Sequence, residues 1–122
     1  MHDSPPPSHD WRTQLSGYAG HNKETLVAIS DAFLDEVPML MSRIKAAFMA
    51  QDTRTLRTSA HTLKSCFRYV ASDEDIAAAS EVEKNADHCD TITTAQIDHI
   101  ETLAKQWCDC VKQLRDETAA SL

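Results

Sequence analysis

His61 lies among cationic side chains that together could bind an anion. Residues 52–70 form a pattern typical of one amphipathic helix, and the apolar residues on its inner face are Leu56, Ala60, Leu63, Phe67 and Val70. The opposite face carries His61, the uncharged Thr58 and Ser65, and four cations: Arg54, Arg57, Lys64 and Arg68. Four like charges on one face repel one another, so this face favours an anionic partner.

A histidine in these surroundings can act as a nucleophile toward phosphorus. Attack by a ring nitrogen would bring about two negative charges to His61. Lys64, one turn away, can bind the phosphoryl oxygens, while Arg57 and Arg68 make the local electrostatic potential more positive and so stabilise an anion there. Phosphoryl transfer requires mainly correct position and charge compensation, and this face offers both. The other histidines lack such neighbours: His2, His9, His21, His88 and His99.

The overall charge balance makes this helix unusual. The chain has 12 Lys and Arg against 19 Asp and Glu, for a net charge of −7. Residues 52–70 have four cations and a single acid, Asp52, and therefore carry a net charge of +3. An acidic protein with one small basic spot is a poor ligand for nucleic acid, which requires a broad basic surface.

Several other classes of protein are disfavoured. No apolar stretch is long enough for a membrane span, and there is no apolar signal core, so we expect no membrane association and a cytosolic location. The four cysteines are expected to be reduced. Cys108 and Cys110 point about 200° apart on a helix, so no metal site is predicted. There is no Gly-rich ATP loop, which argues against autonomous kinase activity.

The elements that must position His61 are predicted to be helices. Residues 1–8 are expected to form a flexible Pro-rich tail, and residues 9–120 a single domain. A short helix is predicted over residues 9–16. Longer helices are predicted over residues 22–50, with Pro38 inside, over 52–70, over 73–88 and from Thr93 onward. The fold class is therefore all-α: an antiparallel up-down-up-down four-helix bundle with a short N-terminal helix, expected to be a monomer.

One position on the third long helix does not fit a purely structural role. Its inward face is predicted to contain Ile76, Ala79, Ser80, Glu83 and Ala86. A carboxylate is out of place on such a face unless it has a partner. The alternative is that Glu83 reaches water at the edge of the bundle.

The segment Ala60-His61-Thr62-Leu63-Lys64 resembles the signature of histidine phosphotransfer (HPt) domains. In that family the histidine of this motif is phosphorylated and the lysine assists. The resemblance covers roughly residues 20–90 and implies that Glu83 hydrogen-bonds the ring nitrogen that is not phosphorylated. A bond to Nδ1–H of His61 would leave Nε2 with a free lone pair. Ser65 is a departure, since the family usually has glycine directly after the lysine, where a partner approaches closely.

The resemblance implies a phosphorelay intermediate that takes a phosphoryl group on His61 from a receiver-domain aspartate and passes it to another receiver. The expected partners are response-regulator receiver domains and a hybrid sensor histidine kinase. No cofactor is expected on this chain, because Mg²⁺ would come with the receiver. The partner would contact the basic face through these residues: Arg54, Arg57, Thr58, Ser65 and Arg68.

Two alternatives remain open from the sequence. The first is a non-catalytic helical adaptor that binds an acidic partner through the same basic face. The second is the phosphoacceptor module of a chemotaxis-type kinase. Replacement of His61 by Gln separates the relay from the adaptor, since an adaptor would keep its binding.

Overall fold

The computed structural model describes residues 9–122 of the chain, and the tail predicted for residues 1–8 lies outside these. The described residues form helices and no strand. The α-helices are α1 (Trp11–Tyr18), α2 (Lys23–Ala50), α3 (Thr53–Phe67), α4 (Asp73–Lys84) and α5 (Thr94–Ala120). A 3₁₀ segment, Ala86–Thr91, connects α4 to α5.

The four long helices form the predicted bundle. Helix α2 packs against α3, α3 against α4, and α4 against α5, and α5 closes the bundle by packing against α2. The apolar residues predicted for the inner face of α3 are all 0% exposed. The apolar residues that recur every three or four positions along α5 are also buried: Ile97, Ile100, Ala104, Trp107, Val111 and Leu114. No described helix has a stretch long and apolar enough to cross a membrane.

Polar side chains set where the long helices begin. Asn22, Asp52, Ser72 and Thr93 each accept a hydrogen bond from the backbone N–H three residues further on. Thr93 and Gln96 form the predicted reciprocal capping box. Each cap satisfies an N–H that has no partner within the helix and contributes on the order of 1 kcal/mol. The starts of these helices are therefore encoded locally.

Two helices end earlier than predicted. Helix α3 ends at Phe67 rather than at residue 70, because the next residues form a tight turn in which the Val70 N–H donates to the Phe67 carbonyl. The fully buried Val70 side chain anchors this turn in the core. Helix α4 ends at Lys84 rather than at residue 88. Asn85 caps it there through a side-chain bond to the Glu81 carbonyl, and the chain continues as the 3₁₀ segment.

The buried face of α4 also differs from the prediction. Val82 is 1% exposed and shares the inner face with Ala79 and Ala86, which are both 0% exposed. Ile76 and Ser80 are only half-buried. Glu83 is next to Val82 and lies at the edge of the bundle, with 21% of its side chain exposed. It is therefore not an inward residue, and its carboxylate remains beside α3.

Helix α1 packs across the end of the bundle where α3 terminates. The Gln14 side-chain amide donates to the Arg68 carbonyl at 2.7 Å, and His9 Nε2 lies 2.6 Å from the Val70 carbonyl. The Trp11 ring meets the Trp107 ring edge-on, with 5.8 Å between their centroids. Because terminal carbonyls of a helix lack intrahelical partners, these bonds stabilise the end of the helix that carries His61.

Ser30 on α2 provides a test of the core. Its side chain is 0% exposed, and its hydroxyl has no hydrogen-bond partner within the described part of the chain. A buried, unpaired polar group costs about 1–3 kcal/mol. We expect Ser30→Ala to raise the free energy of unfolding in urea by about 1 kcal/mol.

Thr118→Val is the matched control, because the buried Thr118 hydroxyl already donates to the Leu114 carbonyl at 2.7 Å. Its gain in stability should be smaller than that of Ser30→Ala. An equal or lower stability of Ser30→Ala relative to the unsubstituted protein would contradict the prediction.

Candidate functional site

The burial of α3 determines the direction in which His61 points. Leu56, Ala60 and Leu63 are fully buried against the neighbouring helices. His61 lies on the opposite side, and 58% of its side chain is exposed. The predicted outward orientation of the histidine is therefore observed.

Glu83 connects His61 to Lys64. Its Oε2 atom lies 2.8 Å from His61 Nδ1, and its Oε1 atom lies 2.5 Å from Lys64 Nζ. One carboxylate on α4 thus holds two side chains that are one turn apart on α3. The alternative in which Glu83 only reaches water does not describe this arrangement.

The charge state of Glu83 determines which hydrogen His61 carries. The Lys64 ammonium, together with the hydrogen bond from His61, holds the pKa of Glu83 below its usual range, although partial burial acts in the opposite direction. Glu83 is therefore ionised near neutral pH and can only accept hydrogen bonds. It follows that Nδ1 of a neutral His61 ring carries the proton, and the Nε2 lone pair is free. Among residues 9–122, Nε2 has no hydrogen-bond partner.

The four cations predicted around His61 are not equivalent. Only 14% of the Lys64 side chain is exposed, because it extends along the surface toward Glu83. Arg57 does not act as a free cation, since its Nη1 donates to both oxygens of Asp87 at 2.9 and 3.1 Å. Arg54 and Arg68 are exposed at the two ends of the face. The positive potential near His61 is therefore weaker on the α4 side than the sequence predicted.

Three hydroxyl side chains next to His61 are turned back onto their own helix. Thr58 donates to the Arg54 and Thr55 carbonyls, and Thr62 donates to the Thr58 carbonyl. Ser65 donates to the His61 carbonyl at 3.2 Å. Ser65, which occupies the position where the HPt family usually has glycine, thus projects little beyond the helix surface. It leaves the approach to His61 open.

Two features of the site were missed in the sequence. One is Asp87, which is brought to Arg57 by the 3₁₀ segment, whereas a helix over this region was predicted. The other is an exposed aromatic pair: Tyr18 and Tyr69 meet at 4.9 Å between ring centroids and are 56% and 39% exposed. Tyr69 follows the helix that carries His61, so its position near the site could have been predicted from the sequence. The position of Tyr18 depends on the docking of α1 and has no local signal.

The cysteines do not contribute to this site. All four are free, and burial raises the pKa of Cys66 and that of Cys108 to about 11. Such thiols are protonated at neutral pH and therefore poor nucleophiles. Within residues 9–122 no group of three or more His, Cys, Asp or Glu side chains could hold a metal ion.

The chain and its fold are similar to proteins that transfer phosphoryl groups through histidine. A family model described as the Hpt domain matches residues 28–117. The structure is similar to the crystal structure of histidine-containing phosphotransfer protein B (HptB) from Pseudomonas aeruginosa PAO1, with a TM-score of 0.78 and 21% sequence identity. The match covers 93% of this chain and 98% of the HptB chain. No protein of curated function matches the chain in sequence at a significant level.

The chain belongs to the Hpt domain family. It is a phosphorelay histidine phosphotransfer intermediate. Proteins of this family pair with receiver domains and kinases in phosphorelays. The fold and the family predicted from the sequence are both confirmed.

The tautomer of His61 can be measured directly in the unphosphorylated protein. A hydrogen bond to a charged acceptor contributes about 1.5–3 kcal/mol, so we expect at least a tenfold excess of the Nδ1–H tautomer in the neutral ring. The ring ¹⁵N chemical shifts report this ratio. Glu83→Ala should remove the excess, whereas Glu101→Ala, which removes a carboxylate bound to Lys45, should retain it. A predominant Nε2–H tautomer in the unsubstituted protein would contradict this geometry.

Proposed function

We propose that His61 is the residue that carries the phosphoryl group and that its Nε2 atom is the nucleophile. One observation supports this most directly: Glu83 occupies Nδ1, while Nε2 is on the exposed side of the ring. Because 58% of the His61 side chain is exposed, a phosphorus atom could approach Nε2 from solvent. The lone pair is available without removal of a proton, so no general base is needed for the attack.

Lys64 is the group that compensates the arriving charge. It follows His61 by one turn, so its ammonium can exchange part of its contact with Glu83 for a phosphoryl oxygen. Partial burial of the Lys64 side chain strengthens such an interaction relative to one in open water. In this role Lys64 stabilises the transition state and need not transfer a proton.

The docking face for the partner is proposed to extend along α3 on both sides of His61. A standard interface covers about 800 Å² per partner, which corresponds to a disc of about 16 Å radius. Phe67, the last residue of α3, is about 9 Å from His61 along the helix axis, and Tyr69 follows it by two residues, so Tyr69 falls near the edge of that disc. Arg54 and Arg68 provide positive charge on this face. Thr58 and Ser65 project little beyond the helix surface and so leave room for the partner. Tyr18 and Tyr69 provide exposed aromatic area.

The proposed donor and acceptor are the phosphorylated aspartates of receiver domains, one of them attached to a hybrid sensor kinase. Among residues 9–122 the only carboxylate in contact with His61 is Glu83, which is already bound by Lys64, so we assign Mg²⁺ to the receiver. A monomer is proposed because the apolar seams of α2 to α5 are buried within the bundle. The cytosolic location stays a prediction.

The first experiment is transfer from a phosphorylated receiver domain. We expect His61→Gln to accept no label, because the nucleophilic nitrogen is lost, while circular dichroism of the variant is unchanged. His99→Gln is the matched control, since His99 is also exposed on a helix, and it should be labelled as the unsubstituted protein is. Acid-stable label, or label of equal amount on His61→Gln, would contradict the proposal.

Charge reversal tests the docking face separately from chemistry. Arg68→Glu should weaken binding of a receiver domain by about tenfold or more, because it places an acid against the acidic phosphorylation site of the partner. Lys105→Glu makes the same charge change on the exposed surface of α5 and should leave the dissociation constant nearly unchanged. Calorimetry or surface plasmon resonance at two salt concentrations measures both. Equal weakening by the two variants would place the interface elsewhere.

A further inference from the structure

The partner of His61 Nδ1 is a carboxylate, and this determines the form of the phosphorylated ring. In the structure Nδ1 faces Glu83 Oε2 at 2.8 Å, and the other Glu83 oxygen is bound to Lys64. A carboxylate offers only acceptor atoms. Nδ1 is therefore favourably placed while it carries a proton and unfavourably placed once it has lost it.

Phosphoryl transfer does not by itself remove this proton. The Nε2 lone pair forms the N–P bond while the P–O bond to the donor aspartate breaks, and the bonding pair leaves with the aspartate carboxylate. The ring that results carries hydrogen on Nδ1 and phosphorus on Nε2, and is an imidazolium cation. Loss of the Nδ1 proton would turn a ring lone pair toward the Glu83 carboxylate, and two acceptors would then face each other.

Glu83 is also a poor destination for the proton. The Lys64 ammonium lowers the pKa of this carboxyl, so the ionised form is favoured while Lys64 remains near it. With the pair intact, neither deprotonation to solvent nor transfer to Glu83 is favourable.

We propose that Glu83 is a positioning residue that keeps phosphorylated His61 protonated on Nδ1, so that the phosphoryl group is held on an imidazolium ring ready for onward transfer. This inference rests on the proposed function of His61. In the onward step the N–P bond breaks, its electron pair returns to Nε2, and neutral imidazole leaves. The proton stays on Nδ1 in both directions, so neither transfer has to wait for a proton to move.

The other charged groups around His61 differ in whether they favour or oppose a positive charge on the ring. The cations on α3 oppose a positive charge on the ring. Arg57 opposes it least, because Asp87 of the 3₁₀ segment neutralises its charge. From α2, the Glu36 carboxylate lies near enough to Cys66 of α3 to contribute to the raised pKa of that thiol. Helix α1 packs near the far end of α3, where Arg12 is paired with Glu117. The remaining cations on α3 are Arg54 and Lys64, and Arg68 directly follows the last residue of the helix. Within the part of the chain that the structure describes, Glu83 is the only carboxylate in contact with the ring, so its charge is the specific contribution.

An amide at position 83 would behave differently. Glutamine has nearly the same shape as glutamate, and its side chain can turn to present either the carbonyl oxygen or the NH₂ group. It can therefore bond Nδ1 whether or not the proton is present. Glu83→Gln keeps a hydrogen bond to the ring while removing the preference for the imidazolium form, and is the variant that isolates the effect of charge.

The experiment uses phosphoramidate, a small-molecule phosphoryl donor, so that no receiver domain is required. The full chain, Glu83→Gln and Glu101→Gln are phosphorylated, the modified residue is identified by mass spectrometry, and the ring ¹⁵N shifts are followed with pH. We expect the midpoint for loss of the Nδ1 proton from phosphorylated His61 to be about one to two pH units higher in the unsubstituted protein than in Glu83→Gln. Glu101→Gln, which removes a carboxylate paired with Lys45, should match the unsubstituted protein.

The release of phosphate provides a second readout. At a pH halfway between the two midpoints, phosphorylated His61 should lose its phosphoryl group about three- to tenfold faster in the unsubstituted protein than in Glu83→Gln, because the protonated fraction is larger by that factor. Equal midpoints in these two proteins would overturn the inference while leaving His61 as the phosphorylated residue. Failure of His61 to be phosphorylated in the unsubstituted protein would instead overturn the proposed function and this inference with it.

Lys64→Gln keeps the test decisive if Glu83→Gln does not fold. This variant leaves the carboxylate in place and removes the cation that competes for it, so the midpoint should remain at or above that of the unsubstituted protein. A midpoint that is a full pH unit lower in Lys64→Gln than in the unsubstituted protein would contradict the assignment of the effect to the charge of Glu83.

Discussion

Helix α3 must bury one face and expose the other, and the geometry of the site depends on this constraint. Its apolar residues recur every three or four positions and are fully buried against the other helices. Rotation of α3 by about one residue would bring His61 toward the core and Leu63 toward water. The burial of the apolar side chains thus fixes the outward direction of His61, although His61 itself is not part of the core. Helix α1 reinforces this by binding the carbonyls at the end of α3.

The edge between α3 and α4 supplies the second determinant. Val82 is buried, so the next residue along α4, Glu83, lies at the boundary between core and solvent. At that boundary the carboxylate is near enough to bind His61 and Lys64 and is still partly hydrated, so it remains ionised. A fully buried carboxylate would tend to be neutral, and a fully exposed one would compete with water for the histidine. The site therefore combines a fixed ring orientation with an accessible nucleophilic nitrogen.

Much of the fold was predictable because its signals are local. Helix starts are encoded by capping residues such as Asp52 and Ser72, and helix faces by apolar periodicity. The ends of α3 and α4 were predicted three or four residues too long. At both places the chain leaves the α-helix for a tighter turn, and the choice depends on how Val70 and Asn85 fit their surroundings rather than on propensity.

The sequence by itself determined the four-helix bundle and the exposed face that carries His61 and Lys64, because both follow from spacing within one helix. The candidate partner Glu83 was implied by the resemblance to the HPt family. Tertiary structure alone decided which charges meet. It paired Arg57 with Asp87, placed Lys64 against Glu83, and brought Tyr18 to Tyr69. These contacts join residues from different helices, and their distances depend on how the helices are rotated and docked. Periodicity within a single helix contains no information about that docking.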